Sequence, residues 1–228
     1  MIRIGDLTLS DETVAVHERR DTNPNLPART IRITGSVGDA GTLAELEIRL
    51  DNVARAAGGG DTGIVALSLR PGRQIAARLQ RLDREVHRTA REAVFTALFT
   101  STQAFEDADS ETQLSWTIQA WGAALPVENA GAVFASPHIQ FTAGGSVLVP
   151  VFDDGVRRLT FGGAMAAGQA LVIDGATRRV TLDGSDVTAQ TSGEYPQLDP
   201  GTTVLRFYDD FDSAHQGAAI VRWRNRWW

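Results

Sequence analysis

The side chains of this chain that could do chemistry are its four histidines, its paired aspartates and a run of glycines, and none is spaced for a reaction. His17, His87, His138 and His215 lie far apart, with no pair at i, i+4 and no carboxylate-rich ligand motif around them, so only tertiary convergence could make a metal centre. Cysteine is absent, which excludes disulfides, thiolate-bound zinc, iron–sulfur clusters and thiol nucleophiles. There is no G-x-S-x-G elbow, and the run from Gly58 to Gly63 has no following Lys-Ser/Thr to cradle a phosphate. Asp153-Asp154 and Asp209-Asp210 could supply an acid and a base only if they faced one cleft; followed by Gly155 and by Asp212-Ser213, they read as turn residues. Asp174 and Asp183-Gly184 lack the spaced oxygen ligands of a calcium loop. The expectation is a protein that is not an enzyme and holds no cofactor and no metal.

The 228 residues suffice for two modest domains, each with its own core. A formal charge of −6 works against gripping duplex DNA. All 22 basic residues are arginine, and the densest stretch, from Arg70 to Arg91, is interleaved with Asp83 and Glu85 and has no aromatic before Phe95. It reads as a solvated or intersubunit face, not a nucleic-acid groove. The first residues, Met1–Asp6, lack the profile of a secretion signal, and no apolar run approaches the roughly 20 residues of a membrane span. The chain is therefore expected to be assembled in the cytoplasm without membrane insertion.

Short alternating segments separated by turn residues predict a mainly β protein. Ile2–Ile4, Leu7–Leu9, Thr13–His17 and Thr30–Thr34 are candidate strands, and the Pro-interrupted stretch Thr22–Pro27 is an expected exposed loop. One segment departs from this pattern. Thr42 and Glu45 form a capping box, Leu43, Leu46, Leu50 and Val53 recur at helical spacing, and Gly58 can end the turn, predicting one amphipathic helix over 42–57. The stretch Ile75–Val86 fits either period and is read as strand, and Val94–Phe99 as a buried strand. Acidic residues around Phe105–Glu111 mark a linker, giving domains 1–110 and 111–228. Beyond it come Leu114–Ile118 and hairpins around Asp153-Asp154-Gly155 and Asp174–Thr177, with Val147–Val151, Val156–Phe161, Leu171–Ile173 and Val180–Leu182 as their strands. Trp116 and Trp121 are expected to fill a core or a domain contact.

Near the C-terminus, Gly193, Tyr195, Pro196, Leu198, Pro200 and Gly201 build a turn element ahead of the alternating strand Thr203–Phe207. Its glycines can adopt positive φ, and its prolines fix φ and withhold ladder donors. This string, the preceding Leu171–Asp174 and Arg179–Gly184, and the basic, Trp-rich ending Val221–Trp228 together resemble the C-terminal half of siphovirus-type distal tail proteins, the Dit-like phage tail components. Ile31–Gly35 followed by the helix, a strand, a hairpin and Val94–Phe99 is similar in order to the tube-like N-terminal half.

The resemblance implies two β-sandwich domains, a tube-like, ring-forming one with the single helix and a peripheral, galectin-like one. It also implies a structural virion protein of a phage or phage-like particle such as a gene transfer agent. Such a protein forms a homo-hexameric ring at the tail tip, joining the tail tube protein to hub, baseplate or fibre proteins, with DNA only passing through. Glu45, Glu47 and Asp61 are then candidates near ring contacts. The alternative reading is a carbohydrate-binding β-sandwich module of a tail tip or adhesin, with Trp116, Trp121, Trp223, Trp227 and Trp228 as stacking rings.

Overall fold

In the computed structural model the described residues are 1–10, 13–20, 29–38 and 40–228; the expected loop Thr22–Pro27 lies outside them. The chain divides into two compact units, residues 1–109 with Trp228, and residues 110–227.

The first unit is built on strands β1 (Ile2–Ile4), β2 (Leu7–Leu9), β3 (Val14–Arg20), β4 (Arg29–Val37), β5 (Val65–Ser68), β6 (Arg73–His87), β7 (Glu92–Ser101) and β8 (Glu106–Ala108). They form an antiparallel sheet in the order β2-β1-β5-β6-β7-β4-β3, with β8 added against the start of β6. Strand alternation decides which side is covered. Ile31 and Ile33 of β4, Ile75 and Ala77 of β6, and Phe95, Ala97 and Phe99 of β7 are buried on one face, while Thr30, Arg32, Thr34, Thr96, Leu98 and Thr100 point the other way. The ambiguous Ile75–Val86 segment resolves as strand because register with β7 places Leu79 opposite Phe99 and Leu82 opposite Ala97, a pairing that a helix would forfeit.

Helix α1 (Leu43–Gly58) covers the buried face with Leu46, Leu50, Val53 and Ala57. Thr42 has extended backbone angles and its hydroxyl accepts from the Glu45 N–H at 3.1 Å. The reciprocal half of the expected box is shifted by one residue: the Glu45 carboxylate accepts from the N–H of Gly41, not Thr42. Arg49 donates to the same carboxylate and, with the Gly41 bond, holds it below the usual carboxylate range. Two further expectations are corrected. Leu43 is 41% exposed, and the left-handed cap is Gly59, at φ 67, with Gly58 still helical. The expected connector Gly58–Gly63 is likewise ordered as this cap and a single 3-10 turn, Gly60–Thr62.

The second unit carries β9 (Thr112–Ile118), β10 (Ala124–Asn129), β11 (His138–Ala143), β12 (Val147–Leu148), β13 (Val151–Asp153), β14 (Arg158–Phe161), β15 (Ala164–Met165), β16 (Ala170–Asp174), β17 (Arg179–Leu182), β18 (Ser185–Asp186), β19 (Thr191–Gly193), β20 (Gly201–Tyr208) and β21 (Gly217–Trp223). A sheet ordered β10-β20-β13-β14-β19 and another ordered β18-β17-β16-β11-β21-β9 share one core. Phe141 of the second sheet meets Phe152 and Phe207 of the first at centroid distances of 5.8 and 5.0 Å, and Trp116 packs edge-on to Phe152. These rings make the unit a sandwich closed by aromatic contact between its layers.

The expected strand Val147–Val151 is instead broken at Val149, which takes φ 50. Val147–Leu148 pairs with Ala164–Met165, leaving Val151–Asp153 to form the hairpin with β14, and Val156, 81% exposed, belongs to its loop. Trp116 and Trp223 fill the core; Trp121 is 60% exposed and packs edge-on to Tyr208. Phe152 lies at the centre of the aromatic contact, so Phe152→Ala should cost about 3–5 kcal/mol, read from urea denaturation followed by tryptophan fluorescence.

Candidate functional site

The turn element singled out in the sequence is a fixed surface of the second unit. Gly193 sits at φ 92, and a Cβ there would lie 2.1 Å from the Arg158 carbonyl oxygen, so no other residue fits without moving β14. Gly201 also has positive φ, at 91, where β20 begins. Between them, Leu198 is fully buried and exchanges two backbone hydrogen bonds of 2.9 Å with Ala135. Pro196 is buried and Pro200 exposed, so the loop is bound at Leu198 and turns away on either side. The Asn129 amide donates to the carbonyls of both Leu198 and Val133, tying the loop to β10. Tyr195 is half-buried against the core; burial pushes its phenol up, with the Thr191 hydroxyl and Arg178 acting the other way.

Asp154 locks this loop to the neighbouring hairpin. Its side chain is 1% exposed, and it accepts from the N–H groups of Val156 (2.8 Å), Arg157 (2.6 Å) and Gln197 (2.8 Å) and from the Arg157 guanidinium (3.0 Å). Burial alone would push the carboxyl up; the backbone donors of Gln197, Arg157 and Val156 and the guanidinium outweigh it and hold it below the usual range. The acid pair is thus divided: Asp153 accepts from the Gly155 N–H within its own turn, and Asp154 faces inward. The hairpin role expected from sequence is correct, but the link to Gln197, forty-three residues away, has no local signal.

The first unit has its own buried ionic group, where the sequence predicted a linker. Glu106 is 2% exposed in its side chain, Arg29 is 0%, and the two meet at 3.2 Å. Arg29 also reaches Glu18 at 2.7 Å and donates twice to the Ala104 carbonyl, at 2.7 and 3.1 Å; Arg70 bridges Glu106 and Glu18. The acidic composition of 105–111 suggested solvation, but pairing with arginines makes burial of Glu106 tolerable. Its partners are Arg29 of β4, Arg70 of the turn before β6 and Arg73 of β6, so no short window could reveal them.

The histidines remain apart. His17 and His87 are exposed, and His138 is half-buried in β11. His215 contacts Asp209 at 2.5 Å, Nδ1 to Oδ1, and clamps the loop between β20 and β21. The hydroxyl of Ser213, two residues before it, is spent on the backbone of Leu148.

Two outcomes follow from these locks. Asp154→Ala should cost about 2 kcal/mol or more at neutral pH, as three N–H groups and a guanidinium lose their acceptor. Because the folded carboxyl is depressed, its contribution is complete above the ordinary aspartate value and lost as pH falls through the lowered folded one. The gap between wild type and variant should therefore close in strong acid, as measured by urea denaturation across pH. Arg29→Met takes the fully buried donor from Glu106, Glu18 and the Ala104 carbonyl, leaving Glu106 to Arg70 and Arg73, and should cost about 3 kcal/mol, whereas exposed Arg88→Met should change stability by less than about 0.5 kcal/mol in the same assay.

Residues 130–227 match the family model described as the siphovirus-type tail component, C-terminal domain, which takes in the whole turn element and most of the second unit. The solved SPP1 Dit protein, described as a paradigm of the hub adsorption apparatus in phages infecting Gram-positive hosts, superposes with a TM-score of 0.65 at 18% identity. That alignment covers 99% of this chain and 91% of that one. Infectious bursal disease virus, Gx strain, aligns at a TM-score of 0.14 with 10% identity over 98% of this chain and 60% of that one, too distant to carry any argument. No curated protein matches the sequence. The second half of the chain therefore matches the C-terminal domain of the siphovirus-type tail components, and its whole length shares the fold of the Dit protein.

Proposed function

We propose that this chain is a structural protein of the distal tail tip, closing into a homo-hexameric ring that joins the tail tube to the hub, baseplate or fibres and continues the DNA channel. The observation that carries the reading is the match of residues 130–227 to the siphovirus-type tail component on a whole-chain Dit fold. In this reading the first unit makes the ring and the second, galectin-like in layout, stands at its periphery. Assembly takes place in the host cytoplasm, before the tail is complete.

The first unit offers the surfaces that a ring would need. Its sheet leaves β2 and β3 at the ends of the strand order, and one of its faces is polar and open. Head-to-tail copies make heterologous contacts, and those close when the rotation between neighbours divides a full turn. Ile48, 61% exposed on α1, together with exposed Leu43 and Val86, supplies apolar surface for such contacts, while Glu47 is exposed next to Ile48, Asp61 is exposed in the 3-10 turn after the helix and Glu45 is engaged in the helix cap. A net charge of −6 favours a passage that repels phosphate, so that DNA slides without sticking.

Negative-stain images of the purified chain, alone and with its tube protein, should show annuli, with a six-fold mass in light scattering. Single copies under both conditions would remove the ring. Ile48→Arg should shift the mass towards single copies without lowering Tm, because the side chain is exposed within one copy.

A further inference from the structure

On the second unit, four chain segments meet around a recessed cavity of about 510 Å³: the run into β11, the β13–β14 loop, the β16–β17 turn and the loop after β19. This volume lies within the range of small-molecule sites, roughly 300–1,000 Å³. The wall mixes hydrogen-bond donors and acceptors: the guanidinium groups of Arg157 and Arg178, the Glu194 carboxylate and the Gln197 amide, beside the rings of Phe134 and Tyr195.

The charges on this wall cancel. Arg157 is committed to Asp154 at 3.0 Å and lies 3.7 Å from Asp199. That leaves Arg178 and Glu194, one of each sign, so the cavity has no excess positive charge for a phosphate or a polyanion. What suits it is a neutral molecule that both gives and accepts hydrogen bonds and has apolar edges to lie on an aromatic ring. Arg178 is also one of five non-glycine residues at positive φ among the described residues. It is held at φ 54, in the left-handed region that favours glycine, at the turn between β16 and β17. Glycine would adopt that conformation with less strain, so the turn does not itself require an arginine side chain.

We propose that this cavity is a binding site for a neutral pyranose unit of a glycan, with Arg178, Glu194 and Gln197 hydrogen-bonding its hydroxyls and Tyr195 or Phe134 lying against the ring. The tryptophans are not part of it: Trp116 and Trp223 are core residues, and Trp121 packs on Tyr208. The site belongs to the second unit by itself and does not depend on ring formation.

Isothermal titration of the full chain with galactose, rhamnose and N-acetylglucosamine, and separately with glucuronate and inorganic phosphate, tests the proposal. The expected result is saturable binding of at least one neutral sugar, weakened about tenfold or more by Arg178→Gly and by Glu194→Ala. Arg178→Gly should meanwhile leave Tm unchanged or raise it, since the strained backbone is relieved. Three results overturn the proposal: no neutral sugar saturates, only the anions bind, or both variants bind like wild type. Each would leave the ring reading untouched, because ring formation is measured by particle mass and shape without any sugar present.

Discussion

A carboxylate with no access to water must be met by donors, and the second unit is organised around one such group, Asp154. Its four donors come from the hairpin loop it starts and from the distant Gln197, so two loops that share no sheet hydrogen bonds at that point are held as one surface. That constraint fixes the floor of the turn element, and Gly193 at the Arg158 carbonyl fixes its entry. The first unit uses the same physics with the signs distributed differently. There a fully buried arginine, Arg29, collects two carboxylates and a carbonyl from segments that are far apart in the chain.

Much of the fold could be read from the sequence because it is written in short periods. The alternation in β4, β7 and β20, the Thr42 cap, and the positive-φ glycines at 193 and 201 are local properties, and each appears as its residues dictate. Errors occurred where tertiary pairing overrides local composition. Glu106 lies in an acidic stretch and is nonetheless buried, because its counter-charges arrive from elsewhere. Val149 belongs to an apolar run that should extend a strand, yet it takes φ 50 and directs Leu148 and Val151 to different partners. Leu43 keeps helical spacing with Leu46 but is exposed at the start of the helix.

The candidate site shows the same division. The positive φ of Gly193 and Gly201 was legible, whereas the pairing of Leu198 with Ala135 and the cavity beside it were not, because their partners come from segments spread between Phe134 and Gln197. Its one local trace is Arg178 in a hairpin turn where glycine would be cheaper, and only backbone angles expose that choice. A β-sandwich can carry such a small recessed surface because its strands hold the loop residues in place.

The Arg29–Glu106 contact also bears on how the polypeptide leaves the ribosome. The two residues are separated by 77 positions, so nearly the whole first unit must emerge before the arginine meets its main buried partner. Until then β4 exposes a charged side chain where the finished unit is dry, which favours late closure of the nascent sheet over early trapping.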